Sequence, residues 1–177
     1  MGEAGAAITP DTKDWTWVIG RRCPDCGLDA STVEYVRIPE SIRTAAAGFG
    51  AVLARPDAAR RPDPHTWSPV EYAAHVRDVC AVFADRLASM LTEDGPRFSE
   101  WSGDDAAVQQ AYAEQDPGQV ATALVAQANR VADAFAAVPV GDRARTGRRG
   151  DGMEFTVDSL ARYLVHEPVH HLWDVRG

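Results

Sequence analysis

The sequence predicts an all-α protein, a four-helix bundle that follows a short N-terminal extension. Four segments carry apolar residues at helical spacing, and strand patterns are scarce. Two of the four segments open on a helix-start signature, at Ser68-Pro69 and at Asp116-Pro117. With 177 residues, 45% of them hydrophobic, the chain can bury one substantial core. We therefore expect an extension over residues 1–38 and a helical bundle over residues 39–177.

Charge and composition exclude several classes of function. A net charge of −8 argues against a nucleic-acid-binding protein, which needs a basic surface. No apolar run reaches the length of a membrane span, and the N-terminus lacks the basic and apolar regions of a signal peptide. Three cysteines do not form a disulfide framework. We expect a cytoplasmic protein that acts on a small molecule, and an aromatic N-terminal arm would allow a homodimer.

The first two helices have clear boundaries. The first is predicted from about Pro39 to Arg55, and a Pro-rich linker follows it. The second starts with a full capping box, in which Ser68 is the N-cap and Glu71 the third helical residue. Gly95-Pro96 ends it. Their predicted buried residues are Ile42, Ala45, Ala46, Phe49, Val52 and Leu53 in the first, and Val76, Val79, Cys80, Phe83, Leu87, Met90 and Leu91 in the second.

The second half of the chain contains the other two helices. Residues 97–115 are predicted to connect helices, with aromatic residues that could cap the mouth of the bundle. The third helix begins after Asp116 and buries Val120, Leu124, Ala128, Val131, Phe135 and Val138. Gly141 to Gly152 predicts a loop or small hairpin, whose arginines either form a solvated face or receive carboxylates of an acidic substrate. The fourth helix begins near Thr156.

The N-terminal extension carries a pair of cysteines. Residues 1–14 are small and polar and predict disorder, and Asp14 to Ile19 predict a short strand or an extended arm. Cys23-Pro24-Asp25-Cys26-Gly27 is half of a zinc knuckle. Three interpretations stay open: an inert or redox-active thiol pair, a metal site completed by His or Asp, and a site completed by a partner.

Three of the five histidines lie within six residues of the last helix, His166-Glu167-Pro168-Val169-His170-His171. Residues four apart share a helix face, which gives two possible chelating pairs, His166 with His170 and Glu167 with His171. Steps of three and four from the buried Leu160 and Leu164 lead to Glu167 and His171, so this pair is predicted to point inward. His75, on the inner face of the second helix, is the best third ligand.

Other interpretations of these histidines remain. His75 alone could be a hydrogen-bonded core residue, and the C-terminal histidines could form a surface cluster that favours the helix dipole. His166-Glu167-Pro168-Val169-His170 also matches the H-E-x-x-H motif of metalloproteases. Proline within the motif would disturb the helix, and only seven residues follow His170. We therefore prefer the Glu167 and His171 register.

The stretch from Trp67 to Val76 resembles the second-helix signature of the DinB-like superfamily, which includes the mycothiol-dependent maleylpyruvate isomerases. In that family the signature ends in a metal-binding histidine, here His75. His170-His171 resembles the double histidine of a later helix, whose second member is the ligand. Four residues earlier most members have a second His, whereas this chain has Glu167. The isomerase branch of the family also has Glu at this position, followed by a His-x-Trp-Asp run that resembles His171 to Asp174.

The resemblance covers residues 39–177 and leaves the extension unexplained. It implies a bundle with a three-ligand Zn²⁺ or Ni²⁺ site of His75, Glu167 and His171 that keeps open positions. It also implies a transferase or isomerase that uses a low-molecular-weight thiol such as mycothiol or bacillithiol. A metal-dependent hydrolase that uses water, and a bundle that binds metal or ligand without catalysis, are the alternatives.

Overall fold

Helices dominate residues 8–10 and 13–176, the part of the chain that the computed structural model describes. The elements are α1 (Ile38–Leu53), α2 (Pro69–Thr92), α3 (Gly103–Gln109), α4 (Pro117–Ala136) and α5 (Val157–Arg176), with an antiparallel hairpin of β1 (Thr146–Arg148) and β2 (Glu154–Thr156) before α5. The predicted all-α class is confirmed, because the only strands in this part of the chain are the six residues of the hairpin.

The four long helices α1, α2, α4 and α5 form the bundle. Helices α1 and α2 each pack against both α4 and α5. Although α1 and α2 follow each other in the sequence, they therefore lie diagonally opposite each other in the bundle. Helix α2 is therefore a direct neighbour of α5. This neighbourhood brings the second-helix signature next to the C-terminal histidines.

The predicted apolar stripes form the core. Every residue predicted to be buried in the helices α1, α2 and α4 is buried, apart from Leu91, which is half-buried. In α5, Leu160 and Leu164 are fully buried, as the register requires. Because each stripe turns its apolar side chains toward the same centre, burial supplies the main stabilisation of the bundle.

Side-chain caps fix where three of these helices begin. The capping box at α2 is confirmed: Ser68 Oγ accepts from the backbone N–H of Glu71, and the Ser68 N–H donates to Glu71 Oε2 over 2.8 Å. Asp116 Oδ1 accepts from the N–H of Gln119 at the start of α4. Thr156 Oγ1 accepts from the N–H of Ser159 at the start of α5. These bonds satisfy backbone donors that the first helical turn leaves without partners.

Three local predictions need correction. Residues 15–19 form a 3₁₀ helix rather than a strand or an extended arm, because Asp14 Oδ1 accepts from the N–H of Thr16 and caps the turn. The connecting segment 97–115 contains α3, which Ser102 caps. The hairpin of the Arg-rich segment extends to Thr156. The predicted disorder of residues 1–14 falls largely on residues 1–7, 11 and 12, which lie outside the described residues.

The segment before α1 lies against the bundle. The Arg162 guanidinium on α5 donates to the carbonyl oxygens of Ala30 and Val33, and Tyr35 Oη donates to the carbonyl of Phe135 on α4. Trp15 packs over the ring of His170 on α5, with 5.0 Å between ring centroids. Of the helices in the described residues, none has the length and apolar character needed to cross a membrane.

Candidate metal centre

Three side chains from two helices meet between α2 and α5. His75 comes from α2, and Glu167 and His171 come from α5. Each offers one possible ligand atom, and these atoms all lie within 4.8 Å of one another. Glu167 Oε2 is 3.5 Å from His171 Nε2 and 3.7 Å from His75 Nε2. The structure thus brings together the three residues that both the helical register and the family resemblance selected.

Packing holds His75 in this position. Its ring stacks on Trp101, with 5.7 Å between centroids, and contacts Trp67 at 5.2 Å. Gly103, the first residue of α3, closes the remaining side: a Cβ there would lie 2.7 Å from His75 Cε1, closer than real Cβ contacts allow. Trp101 of the connecting segment therefore forms, together with Trp67, a wall beside His75.

Helix α5 continues through Pro168, although proline cannot donate the hydrogen bond that would reach the carbonyl of Leu164. Helical geometry is therefore kept across the whole histidine stretch. Glu167 and His171 lie one turn apart on the same face, and His166 and His170 lie one turn apart on the adjacent face. Pro168 does not rotate one pair into the place of the other.

Charges in the centre are strongly coupled. Burial would raise the pKa of Glu167, but His171 and His75 outweigh burial and hold this pKa well below its usual range. Burial disfavours the cationic form of His171, yet Asp174 and Glu167 raise its pKa to about 9. Burial lowers the pKa of His75 despite the nearby Glu167. These three side chains by themselves thus place an ionised carboxylate beside one charged and one neutral imidazole at neutral pH.

The three groups fit a divalent cation. Their separations of 3.5 and 3.7 Å exceed the usual N–H···O hydrogen bond of about 2.7–3.2 Å. Ligands about 2.0–2.2 Å from a common Zn²⁺ ion lie farther apart than hydrogen-bonded atoms do. Two imidazoles and one carboxylate form a set that zinc enzymes use, with a further position open. A cation would also neutralise the buried carboxylate.

The centre opens into a cavity of about 830 Å³. Aromatic side chains form much of the wall near His75, including Trp67, Tyr72 and Trp101. Charged and hydroxyl groups line other parts of the cavity, among them Arg86, Arg149 and Tyr163. Ligand pockets in proteins commonly have about this volume and combine apolar walls with a few polar groups.

Arg86 on α2 is the unusual group of this cavity. It is only 9% exposed, and its Nε has no hydrogen-bond partner among the described residues. Its guanidinium lies 5.3 Å from the ring centroids of both Phe83 and Phe98. Burial lowers its pKa. A buried guanidinium with a free donor suits an anionic group of a ligand.

Among the arginines of the Gly141 to Gly152 segment, Arg149 alone lines the cavity. Its guanidinium pairs with Asp151 and lies 3.6 Å from Asp14. Arg145 donates to backbone carbonyls at the end of α2, and Arg148 pairs with Glu154 across the hairpin. Arg143 lies over the ring of Tyr35. These three contacts hold the segment, and Arg149 and Arg86 are the arginines that line the cavity.

The other histidine pair belongs to a second group. His166 and His170 lie with Cys23 and Cys26, and one ligand atom from each falls within 4.8 Å of the others. The surface-cluster interpretation is wrong, because His166 is 2% and His170 7% exposed. Burial beside His170 lowers the pKa of His166 to about 4, which keeps its imidazole neutral. The H-E-x-x-H string is thus divided between two sites.

Comparison with known proteins identifies the family. A sequence profile of the DinB superfamily matches residues 42–175. The chain belongs to the DinB superfamily. A solved structure, YfiT from Bacillus subtilis, has the same fold: the TM-score is 0.70 at 14% identity over 80% of this chain and 85% of YfiT. YfiT is described as a probable metal-dependent hydrolase with an unusual four-helix bundle topology. Among curated proteins, none matches this DinB-superfamily chain in sequence.

Sequence reasoning assigned no role to three residues in and around the candidate centre. Asp174 contacts His171 Nδ1 and follows it by three positions, a helical spacing that would have pointed to it. Arg86 lies on the buried stripe of α2, eleven residues after His75, so a charged residue at an apolar position was the available signal. Trp15 carries no such signal, because nothing in the extension specifies where it packs.

Proposed function

We propose that His75, Glu167 and His171 hold a divalent metal ion, Zn²⁺ or Ni²⁺, and that the protein is a metal-dependent enzyme. The reaction we propose is the transfer or isomerisation of an electrophilic small molecule with the help of a low-molecular-weight thiol of the mycothiol or bacillithiol type. The observation that carries this proposal is the set of two imidazoles and one carboxylate that faces a large cavity.

A bound divalent ion would supply Lewis acidity, which lowers the pKa of a thiol or water placed beside it. The residues around the centre have distinct tasks. Asp174 accepts the Nδ1–H of His171, so the ligand nitrogen of this ring would be Nε2, which faces Glu167 and would lose its proton when an ion binds. Trp67 and Trp101 shield the His75 side from water, and exclusion of water strengthens charge interactions within the site.

The size and lining of the cavity favour a reaction that uses a thiol cosubstrate over a reaction that uses only water. A volume of about 830 Å³ is within the range of sites for drug-sized molecules, and it exceeds what one water and a small ester require. Arg86 offers an unpartnered donor to an anionic group of the electrophile. The polar side chains at other parts of the wall suit the hydroxyl and amide groups of a sugar-like thiol.

A second candidate is a metal-dependent hydrolase, which the fold shared with YfiT favours. The same three residues would hold the ion, and water would replace the thiol as nucleophile. The same cavity would then hold an ester or amide substrate. The two candidates differ in one measurable property, which is whether turnover requires a thiol.

The test compares thiol-dependent and thiol-independent turnover in metal-stripped protein and after reloading with Zn²⁺ or Ni²⁺. Mycothiol or bacillithiol with 1-chloro-2,4-dinitrobenzene probes transfer, and 4-nitrophenyl acetate without thiol probes hydrolysis. We expect metal-dependent turnover only with thiol, and we expect His171→Ala and Glu167→Gln to abolish it. Glu40→Gln is the matched control for Glu167→Gln, because Glu40 is exposed on α1 and lies outside both ligand groups and the cavity wall.

Three outcomes would contradict the proposal. Metal-dependent ester cleavage that thiol does not accelerate would select the hydrolase. Stoichiometric metal binding through His75, Glu167 and His171 without turnover in either assay would select a non-enzymatic metal- or ligand-binding bundle. Equal turnover in stripped and reloaded protein would contradict the metal-dependent enzyme altogether.

A further inference from the structure

The second ligand group joins the N-terminal extension to the last helix. Cys23 and Cys26 come from the extension, and His166 and His170 come from α5, more than 130 positions later in the chain. Cys23 Sγ lies 3.6 Å from His170 Nδ1. All three cysteines are free thiols, so no disulfide competes for Cys23 and Cys26.

The cysteine turn has the backbone of a metal knuckle. The N–H of Gly27 donates to the carbonyl of Cys23 over 3.0 Å, and the N–H of Cys23 donates to the carbonyl of Leu28 over 2.8 Å. Gly27 has a φ of +78°, which a residue with a Cβ rarely adopts. This turn places both thiols on the same side, facing α5.

Helix α5 supplies the two imidazoles of this group, which the helical period places on one face of the helix. His166 and His170 are four positions apart, and their ring centroids are 4.7 Å apart. His166 Nε2 is buried and has no hydrogen-bond partner among the described residues. His170 Nε2 lies 3.8 Å from Asp174 Oδ1, so the nitrogen opposite Cys23 already faces a carboxylate. Such an outer carboxylate is a regular companion of metal-bound histidine.

The ligand types and spacing match tetrahedral zinc. Two thiols and two imidazoles are a complete structural set, which leaves no open position. A sulfur at about 2.3 Å and a nitrogen at about 2.0 Å from a tetrahedral Zn²⁺ ion are about 3.5 Å apart. The distance of 3.6 Å between Cys23 Sγ and His170 Nδ1 agrees with that value. Soft thiolates exclude hard cations such as Mg²⁺ and Ca²⁺.

We propose that Cys23, Cys26, His166 and His170 form a structural Zn²⁺ site that fastens the N-terminal extension to α5. It is separate from the centre of His75, Glu167 and His171, although the two use adjacent faces of one helix. A closed Cys₂His₂ set serves structure, whereas the three-residue set serves a ligand that enters from the cavity.

The fastening has a consequence for the cavity. Lys13, Asp14 and Trp15 precede the cysteine turn and line the cavity wall. Trp15 packs over both imidazoles of the zinc set, and Asp14 lies 3.6 Å from Arg149. Residues 30–35 have separate anchors on Arg162 and Phe135. Zinc would therefore order residues 13–28, and with them one wall of the cavity.

The test is metal content together with the spectrum of cobalt-substituted protein. We expect two zinc equivalents in wild type and one in Cys23→Ser, Cys26→Ser, His166→Ala and His170→Ala. Cobalt in the Cys₂His₂ site gives a thiolate-to-metal charge-transfer band, which the other centre cannot give because it has no sulfur. His75→Ala should keep this band, so failure of the proposed catalytic centre is distinguishable from failure of the zinc site.

Matched controls are Cys80→Ala and His65→Ala, which remove one thiol or one imidazole outside both groups and should retain both equivalents. Cys26→His should keep zinc with a weaker charge-transfer band, which separates loss of a ligand from loss of the fold. Limited proteolysis should cut the extension readily in Cys23→Ser. Absence of the band in wild type, or a Cys23–Cys26 disulfide in freshly purified protein, would overturn the proposal.

Discussion

The Asp174 carboxylate lies 2.8 Å from Nδ1 of His171. The other nitrogen of that ring faces Glu167, so the hydrogen bond to Asp174 sets which nitrogen is available to a metal. The opposite carboxylate oxygen is 3.8 Å from His170 Nε2. One side chain near the end of α5 thus contacts a histidine of each ligand group.

The first prediction concerns this carboxylate. Asp174→Ala should weaken metal binding at the three-residue centre about 10- to 100-fold, because the His171 ring loses its orienting acceptor. Asp174→Asn should lose less metal affinity than Asp174→Ala, since the amide oxygen of Asn can still accept the Nδ1–H of His171. Competition with a chromophoric chelator measures the affinity.

Asp85→Ala is the control for Asp174, because Asp85 is an exposed residue on α2 that pairs loosely with Arg130. Its metal affinity should equal that of wild type. An Asp174→Ala protein that binds metal as tightly as wild type would show that His171 keeps its orientation without this acceptor.

The second prediction concerns Gly103. A Cβ at this position would lie 2.7 Å from His75 Cε1, so Gly103→Ala should displace the imidazole and lower metal affinity at least about tenfold. Gly50→Ala is the matched control on α1, where a Cβ meets nothing within 4 Å. It should leave metal binding unchanged and stabilise the fold by about 0.5–1 kcal/mol. Equal metal affinity in both variants would mean that α3 moves to accommodate the added methyl group and that His75 keeps its position.

The register of the C-terminal helix was predictable from local pattern. Leu160 and Leu164 define the buried face, and the helical period leads from them to Glu167 and His171. Pro168 lies between these two residues, and a proline inside a helix often bends it. Helix α5 nevertheless continues through this proline, and the resemblance to the family pointed to the same pair, Glu167 and His171. Local periodicity was sufficient to predict this face, because the apolar residues and the two candidate ligands all lie on the same helix.

The meeting of Cys23 with His170 was not predictable in the same way. The two residues are 147 positions apart, and the cysteine turn is compatible with several partners. A short strand or an extended arm was predicted for Asp14 to Ile19 because this stretch is aromatic and partly alternating, but the Asp14 cap favours a 3₁₀ turn. Where an irregular segment packs depends on the whole surface beneath it, and no sequence period encodes that surface.

The third prediction concerns Arg86. Arg86→Met should raise the KM for an anionic electrophile about 10- to 100-fold, since a hydrogen bond to a charged group contributes about 1.5–3 kcal/mol. The KM for a neutral analogue should change little. The fold should not be weakened, because Met fills the apolar surroundings and removes a buried charge that lacks an Nε partner.

The control for Arg86 is Arg130→Met, which removes an exposed guanidinium from α4. Steady-state kinetics with one anionic and one neutral substrate separates the effects. Equal increases in KM for both substrates would assign Arg86 to the shape of the cavity rather than to charge recognition.

The last prediction concerns pH and the start of α2. Glu71 is 2% exposed, and its carboxylate accepts from Arg61 Nε over 2.9 Å and from Ser68 Oγ over 2.7 Å. Burial opposes ionisation, but Arg61 and Ser68 outweigh it and lower the pKa of Glu71 below its ordinary 4.5. A lowered native pKa means that the stabilisation is complete above pH 4.5 and is lost as pH falls through the native value.

Glu71→Gln should therefore cost about 1.5–3 kcal/mol of unfolding free energy at neutral pH, because the amide loses the charge-assisted bond to Arg61. The difference from wild type should shrink as pH falls from 4.5 through the lowered native pKa of Glu71, because the carboxylate becomes protonated first in the unfolded and then in the folded protein. Urea unfolding across this pH range measures both effects. Glu40→Gln, at an exposed pair with Arg43, should change stability by less than about 0.5 kcal/mol at every pH. A difference that stays constant with pH would assign the effect of Glu71 to packing rather than to its charge.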